Sequence, residues 1–201
     1  IAQILYEEFE RDGLTGAQGE RILFIGDSIT HGMVANHSCN SYPDRIALFS
    51  DYEIINQGNA GYIFDADSLD DIGRKPDIIT VAYGTNDFGR PDLASVRLNM
   101  TEFFDTLVGL YPASTIFALS PIWRSECKTV EGFAMGFNRL YPMFDEVCAA
   151  YPNVTHLDGR KLMPHNTAKN RNAFSPDGLH PSDHGFAFYA SRLYRSVTDR
   201  L

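Results

Sequence analysis

Short runs of consecutive apolar residues alternate along this chain with longer stretches in which apolar positions return every three or four residues. The first short run, Ile22, Leu23, Phe24 and Ile25 within residues 21–26, ends on a glycine, as a strand buried on both faces does. Comparable runs at 52–56, 77–83 and 114–119, and a weaker one at 154–157, bring the predicted strands to five. Between the third and fourth, Leu93, Val96, Met100, Phe103, Phe104, Leu107 and Leu110 form one stripe and predict a helix over 92–111. Phe133, Phe137, Leu140, Phe144 and Val147 predict another, which Pro142 should kink or restart. Phe186, Tyr189, Leu193 and Val197 share one face of a closing helix over 182–201. At the other end, Ile1, Ile4, Leu5 and Phe9 stand at helical spacing before Gly13, Gly16 and Gly19, which predicts a short amphipathic helix and a flexible connection.

Strands that alternate with helices pair in parallel through right-handed crossovers, with helices on both faces of the sheet. The expected fold is therefore α/β: a three-layer α/β/α arrangement around a five-stranded, doubly wound parallel sheet. With 201 residues the chain is too short for two ordinary enzyme domains. Residues 1–20 are read as the N-terminal helix and connection, and residues 21–201 as one domain. Such sheets carry their chemistry beyond the C-terminal ends of the strands, so polar residues directly after each apolar run are the ones to inspect.

Charge and cysteine content narrow the partners. Lys and Arg total 17 against 26 Asp and Glu, a net charge of −9 that repels polyphosphates and anionic membranes. Nucleic acid is not an expected partner, and the dispersed acidic residues read as solvated surface. Cys39, Cys127 and Cys148 form no CxxC pair and have no histidine at zinc-ligand spacing, so neither a disulfide framework nor a metal site is expected. Cys148 reads as a small core residue, and Cys127 falls in a loop. No apolar run approaches the ~20 residues that span a bilayer, and no signal-peptide pattern is present. A soluble protein is expected. Because the chain begins at Ile1 rather than Met, its native start is taken to be missing. The compartment stays open, with the cytoplasm placed ahead of secretion, and the oligomeric state is not set.

Polar residues form four short motifs, three directly after strands and one near the C-terminus. GDSIT at 26–30 follows the first strand and puts Ser28 at or near the start of a helix; serine is also a common helix cap. NQGNAG at 56–61 follows the second, and Gly58 there could bring a bare backbone N–H close to a reacting oxygen, or simply make a turn. GTND at 84–87 follows the third and offers the carboxamide of Asn86, or an Asx-turn. DGLH at 177–180 supplies Asp177 and His180 three residues apart, which a local contact in a surface loop would also explain.

Together, in this order, the four motifs resemble the SGNH hydrolases, also called GDSL esterases and lipases, whose blocks centre on Ser, Gly, Asn and His. The resemblance runs from about residue 21 to the C-terminus. It implies a flavodoxin-like sheet, with Ser28 as the nucleophile of an ester hydrolase and His180 as its general base, oriented by Asp177. It also implies that the backbone of Ser28 and Gly58 and the side chain of Asn86 form an oxyanion hole. No cofactor is implied. The physical chemistry agrees, because an unassisted serine is a weak nucleophile that needs an imidazole to take its proton and a carboxylate to hold the tautomer. Ser28 lacks the GxSxG setting of an α/β-hydrolase, which disfavours that other esterase fold.

The expected function is hydrolysis of a small-molecule or carbohydrate ester, with short acyl groups such as acetyl. A lysophospholipase or acyl thioesterase is the rival within the class. A catalytically silent carbohydrate- or lipid-binding module is the rival outside it. Substrate contacts are expected from loops 62–64, 88–90 and 122–130, with Tyr62, Phe88 and Trp123 either stacking on substrate or packing the loops themselves. Asp27 is expected to tether the turn at Ser28, and His184 to start a helix. His31 and His37 are read as exposed or structural rather than as a metal pair.

Overall fold

A computed structural model describes residues 19–87, 92–124, 131–165 and 168–201. The helix expected at the extreme N-terminus falls on residues outside this set. Phe88 and Cys127 lie outside it too.

Five strands, β1 (Arg21–Gly26), β2 (Glu53–Gly58), β3 (Ile78–Ala82), β4 (Thr115–Leu119) and β5 (Val154–Leu157), form one sheet in the order β2-β1-β3-β4-β5. Every neighbouring pair is parallel. The helices between and after them are α1 (Ser28–His31), α2 (Tyr42–Phe49), α3 (Leu93–Leu110), α4 (Glu131–Cys148), α5 (Gly159–Leu162) and α6 (Asp183–Thr198). Alternation along β1 divides the core. Leu23 and Ile25 pack with Val96, Met100, Phe103 and Phe104 of α3 and Leu140, Phe144 and Val147 of α4. Ile22 and Phe24 pack on the opposite face with Tyr42 and Ile46 of α2 and Phe186, Tyr189 and Leu193 of α6. The all-apolar reading of β1 is thus explained: each face of the strand meets its own helix layer. This is the expected five-stranded parallel sheet with helices on both sides.

Three local features differ from the sequence reading. Helix α2 was not anticipated, because of its eight residues only Tyr42, Pro43 and Ile46 are buried, while Leu48 and Phe49 face solvent. Its start was nevertheless marked by Ser41, which accepts from the Asp44 N–H, and by Pro43 in the first turn. Helix α4 runs through Pro142 without restarting, since the one backbone donor lost is offset by the burial of Leu140, Phe144 and Val147 around it. Strand β2 extends to Gly58, two residues past the run expected at 52–56, so Gly58 pairs level with Gly26 at the end of β1. Cys148 is buried, and desolvation pushes its thiol up to about 12. Among the described residues no helix is long and apolar enough to cross a membrane.

The order of the sheet determines where the motifs meet. The chain moves from β1 outward to β2, then back across β1 to β3, so the crossover direction reverses between β1 and β3. A crevice opens at such a switch point beyond the C-terminal strand ends, and the first three motifs follow β1, β2 and β3.

Candidate active site

Ser28 opens the short helix α1 directly after β1. The preceding Asp27 caps that helix by accepting from Ile29 N–H at 2.9 Å, and Gly32 ends it in the left-handed region. The carboxyl of Asp27 is 1% exposed. Burial pushes it up to about 7, with Asp87 adding to the rise and the Ile29 amide and Arg124 opposing it. Asp27 therefore holds the turn, as expected. Close approach between α1 and the strands explains the two glycines. A Cβ on Gly26 would lie 2.0 Å from Thr30 Oγ1, and one on Gly58 would lie 2.1 Å from the backbone nitrogen of His31.

Residue 180 is brought to residue 28 by the turn before α6. Phe174 bridges Pro181, Ser175 N–H donates to His180 O at 2.9 Å, and Gly178 takes a positive φ of 69°. This places His180 Nε2 2.9 Å from Ser28 Oγ, across 152 residues of chain. On the other side of the ring, Nδ1 stands 2.7 Å from Asp177 Oδ2. Because the carboxylate can only accept, the ring proton sits on Nδ1, and Nε2 is left to accept from the serine hydroxyl. Ser28 and His180 are each 7% exposed. Burial alone would raise the Asp177 carboxyl. Donation from Ser175 Oγ, from the His180 ring and amide and from the Leu179 amide outweighs it and holds the group well below the usual range.

The three prospective donors differ in their present occupation. The Ser28 N–H belongs to the first turn of α1, where an amide has no partner within its own helix. Asn86 gives one hydrogen of Nδ2 to Tyr62 O at 2.9 Å, and a carboxamide carries two. Gly58 N–H is committed to Asn56 Oδ1 at 2.9 Å, while Asn56 Nδ2 holds Thr30 O at 3.1 Å. Asp87, fully buried, accepts from Gly84 N–H at 3.0 Å and Phe64 N–H at 3.1 Å and so fixes the loop that carries Asn86. Asn56, Asp87 and Ser175 were not assigned these tasks from sequence, although the first two sit inside the motifs already singled out.

The aromatic residues of the expected substrate loops divide by burial. Tyr62 is 38% exposed, whereas Phe64 of the same loop is buried against Tyr83, Phe103 and Phe144 and belongs to the core. Trp123 is half-buried; its Nε1 donates to Arg160 O at 3.2 Å and its ring meets His165 edge-on. His31 is exposed with Nδ1 3.2 Å from Gly58 O, and His37 and His184 are exposed as well. Among the described residues no three His, Cys, Asp or Glu side chains gather as a metal would require.

A model of the GDSL-like lipase/acylhydrolase family matches residues 24–188, which takes in all four motifs. The chain belongs to this family. No curated protein matches the GDSL-like chain by sequence. Solved structures match it in fold. A protein from Lactobacillus plantarum is 21% identical, with a TM-score of 0.73 over 92% of this chain and 100% of its own. A family two carbohydrate esterase from Clostridium thermocellum, solved with cellohexaose, is 17% identical, with a TM-score of 0.70 over 90% of this chain and 64% of its own. A two-domain esterase active on acetylated mannans, solved with mannopentaose, is 15% identical, with a TM-score of 0.65 over 97% of this chain. The GDSL-like chain spans 53% of that esterase's length.

Proposed function

We propose that this GDSL-like protein is a serine esterase that cleaves carboxylic esters through an acyl-enzyme on Ser28, with short acyl groups such as acetyl on a carbohydrate as its substrates. The line from Ser28 Oγ to His180 Nε2 at 2.9 Å and from His180 Nδ1 to Asp177 Oδ2 at 2.7 Å carries this reading. A purely structural serine cap has no need of an oriented imidazole.

In the first half-reaction Ser28 Oγ attacks the ester carbonyl while His180 Nε2 takes its proton, and Asp177 stabilises the imidazolium. The carbonyl oxygen gains charge and is met by the Ser28 N–H and the second Nδ2 hydrogen of Asn86. Gly58 N–H joins them by sharing its hydrogen between the oxyanion and Asn56 Oδ1. The imidazolium then protonates the departing alcohol. Water, deprotonated by His180, repeats the sequence on the acyl-enzyme and restores the free serine.

The carbohydrate part of the proposal is supported by the fold likeness to carbohydrate esterases and by the exposed ring of Tyr62, which could stack on a sugar. Initial rates on p-nitrophenyl esters of graded chain length, set beside acetate release from acetylated oligosaccharides, test it. Acetyl esters are expected to be the best substrates and acetylated oligosaccharides to outperform free acetyl esters. Rates that climb steadily toward long acyl chains would favour a lysophospholipase or thioesterase instead.

A further inference from the structure

The loop between α1 and α2 holds a residue in an unfavourable conformation: Val34, with φ of 64°, is the one non-glycine residue in the left-handed region among those described. A β-branched side chain is poorly tolerated there, and such a conformation persists only where the surroundings enforce it. Two residues on, Asn36 supplies the restraint. Its backbone N–H donates to Asp183 Oδ1 at 3.0 Å and its Nδ2 to Asp183 Oδ2 at 2.7 Å. Asn40 Nδ2 adds a third bond to the same carboxylate at 3.0 Å, and Arg45 fixes Asn40 through its side-chain and backbone oxygens.

Asp183 stands three residues after His180, at the first position of α6. The intervening segment is held by the Phe174 to Pro181 bridge and by Ser182 Oγ donating to Asn172 O at 2.5 Å. At the other end of the loop, Met33 N–H returns to Ser28 O at 2.9 Å. One carboxylate thus joins the loop that leaves Ser28 to the turn that presents His180. We propose that Asp183 is a positioning residue that, through Asn36, sets the separation of Ser28 and His180. This rests on the esterase reading. An acidic residue in a first helical turn also favours the helix dipole, so the test must separate the two roles. Asn36→Ala does so, because it removes the 2.7 Å side-chain bond of the clamp and leaves the charge of Asp183 in place.

The experiment compares wild type, Asn36→Ala, Asp183→Ala and the double variant in kcat and KM on p-nitrophenyl acetate, with Tm recorded for each, and determines crystal structures of the single variants. Asp183→Ala is expected to lose kcat by on the order of 10-fold with KM little changed, and Asn36→Ala to lose part of that. The double variant should lose no more than Asp183→Ala alone, because Asp183→Ala already removes the bond that Asn36→Ala breaks. The Ser28 Oγ to His180 Nε2 distance should open beyond hydrogen-bond range, past about 3.5 Å. If both variants keep wild-type kcat while Ser28→Ala is inactive, the clamp does not position the pair and the esterase reading survives. If wild type is inert, the esterase reading fails and the crystallographic distance decides the clamp: an unchanged separation in both variants overturns it.

Discussion

The amide of Gly58 donates to the side chain of Asn56, two residues before it, and the same side chain grips the carbonyl of Thr30 in the nucleophile's helix. The end of β2 and the start of α1 are therefore built as one unit, with no room between them for a side chain. Gly58→Ala is predicted to fail on this account: its Cβ would lie 2.1 Å from His31 N and 2.5 Å from the Thr30 carbonyl carbon, both backbone. Ester hydrolysis should fall at least 100-fold as α1 is pushed away. Wild-type kcat/KM from a folded Gly58→Ala protein would contradict this packing.

Asn86→Ala tests the oxyanion site without a steric clash. Removing one donor aimed at a developing oxyanion costs on the order of 10² to 10³ in kcat, with KM little changed. The bond to Tyr62 O is lost too, so Tm should be recorded; a loss confined to KM would mean that Asn86 binds substrate without stabilising the transition state.

Asp177→Asn should lower kcat about 10⁴-fold, because an amide in that place can favour the wrong imidazole tautomer. Stability should respond to pH in a defined direction. The folded-state carboxyl of Asp177 is depressed, so its contribution is present above the usual carboxylate range and is lost as pH falls through it toward the folded value. Thermal melts of wild type and Asp177→Asn should differ at neutral pH and converge in strong acid.

Asp27 should behave in the opposite sense. Its folded-state carboxyl is raised to about 7 from an ordinary value near 3.8, so the folded protein holds a proton that the unfolded chain releases. Its stabilisation is complete in acid and declines as pH rises from about 4 to about 7. Asp27→Asn keeps an oxygen for the Ile29 amide and removes the buried charge. Its Tm should equal that of wild type near pH 4 and exceed it at pH 8. A lower Tm at pH 8 would show that the ionised carboxylate, through Arg124 or another partner, stabilises the fold.

Much of this arrangement was legible in the sequence because burial on both faces writes itself as uninterrupted apolar runs, which is why β1 was bounded correctly. Three of the motifs are legible for a related reason: they follow β1, β2 and β3, whose ends the topology brings together, whereas DGLH reaches Ser28 through the turn before α6. Helix α2 escaped because half its surface faces water and its apolar residues include the exposed Leu48 and Phe49. Phe64 falls in a loop expected to meet substrate yet is core, since loop membership says nothing of where a ring points. The roles of Asn56 and Asp183 were hidden for a different reason. Each acts by hydrogen bonds to partners that no periodicity announces, at separations of 26 and 147 residues.

Intact mass measurement of the protein quenched during turnover of p-nitrophenyl acetate bears most directly on the proposed chemistry. Wild type should carry one acetyl group on the peptide containing Ser28, and Ser28→Ala should carry none and hydrolyse the ester about 10⁶-fold more slowly. Acetylation elsewhere, or hydrolysis by Ser28→Ala at the wild-type rate, would contradict a covalent mechanism at Ser28.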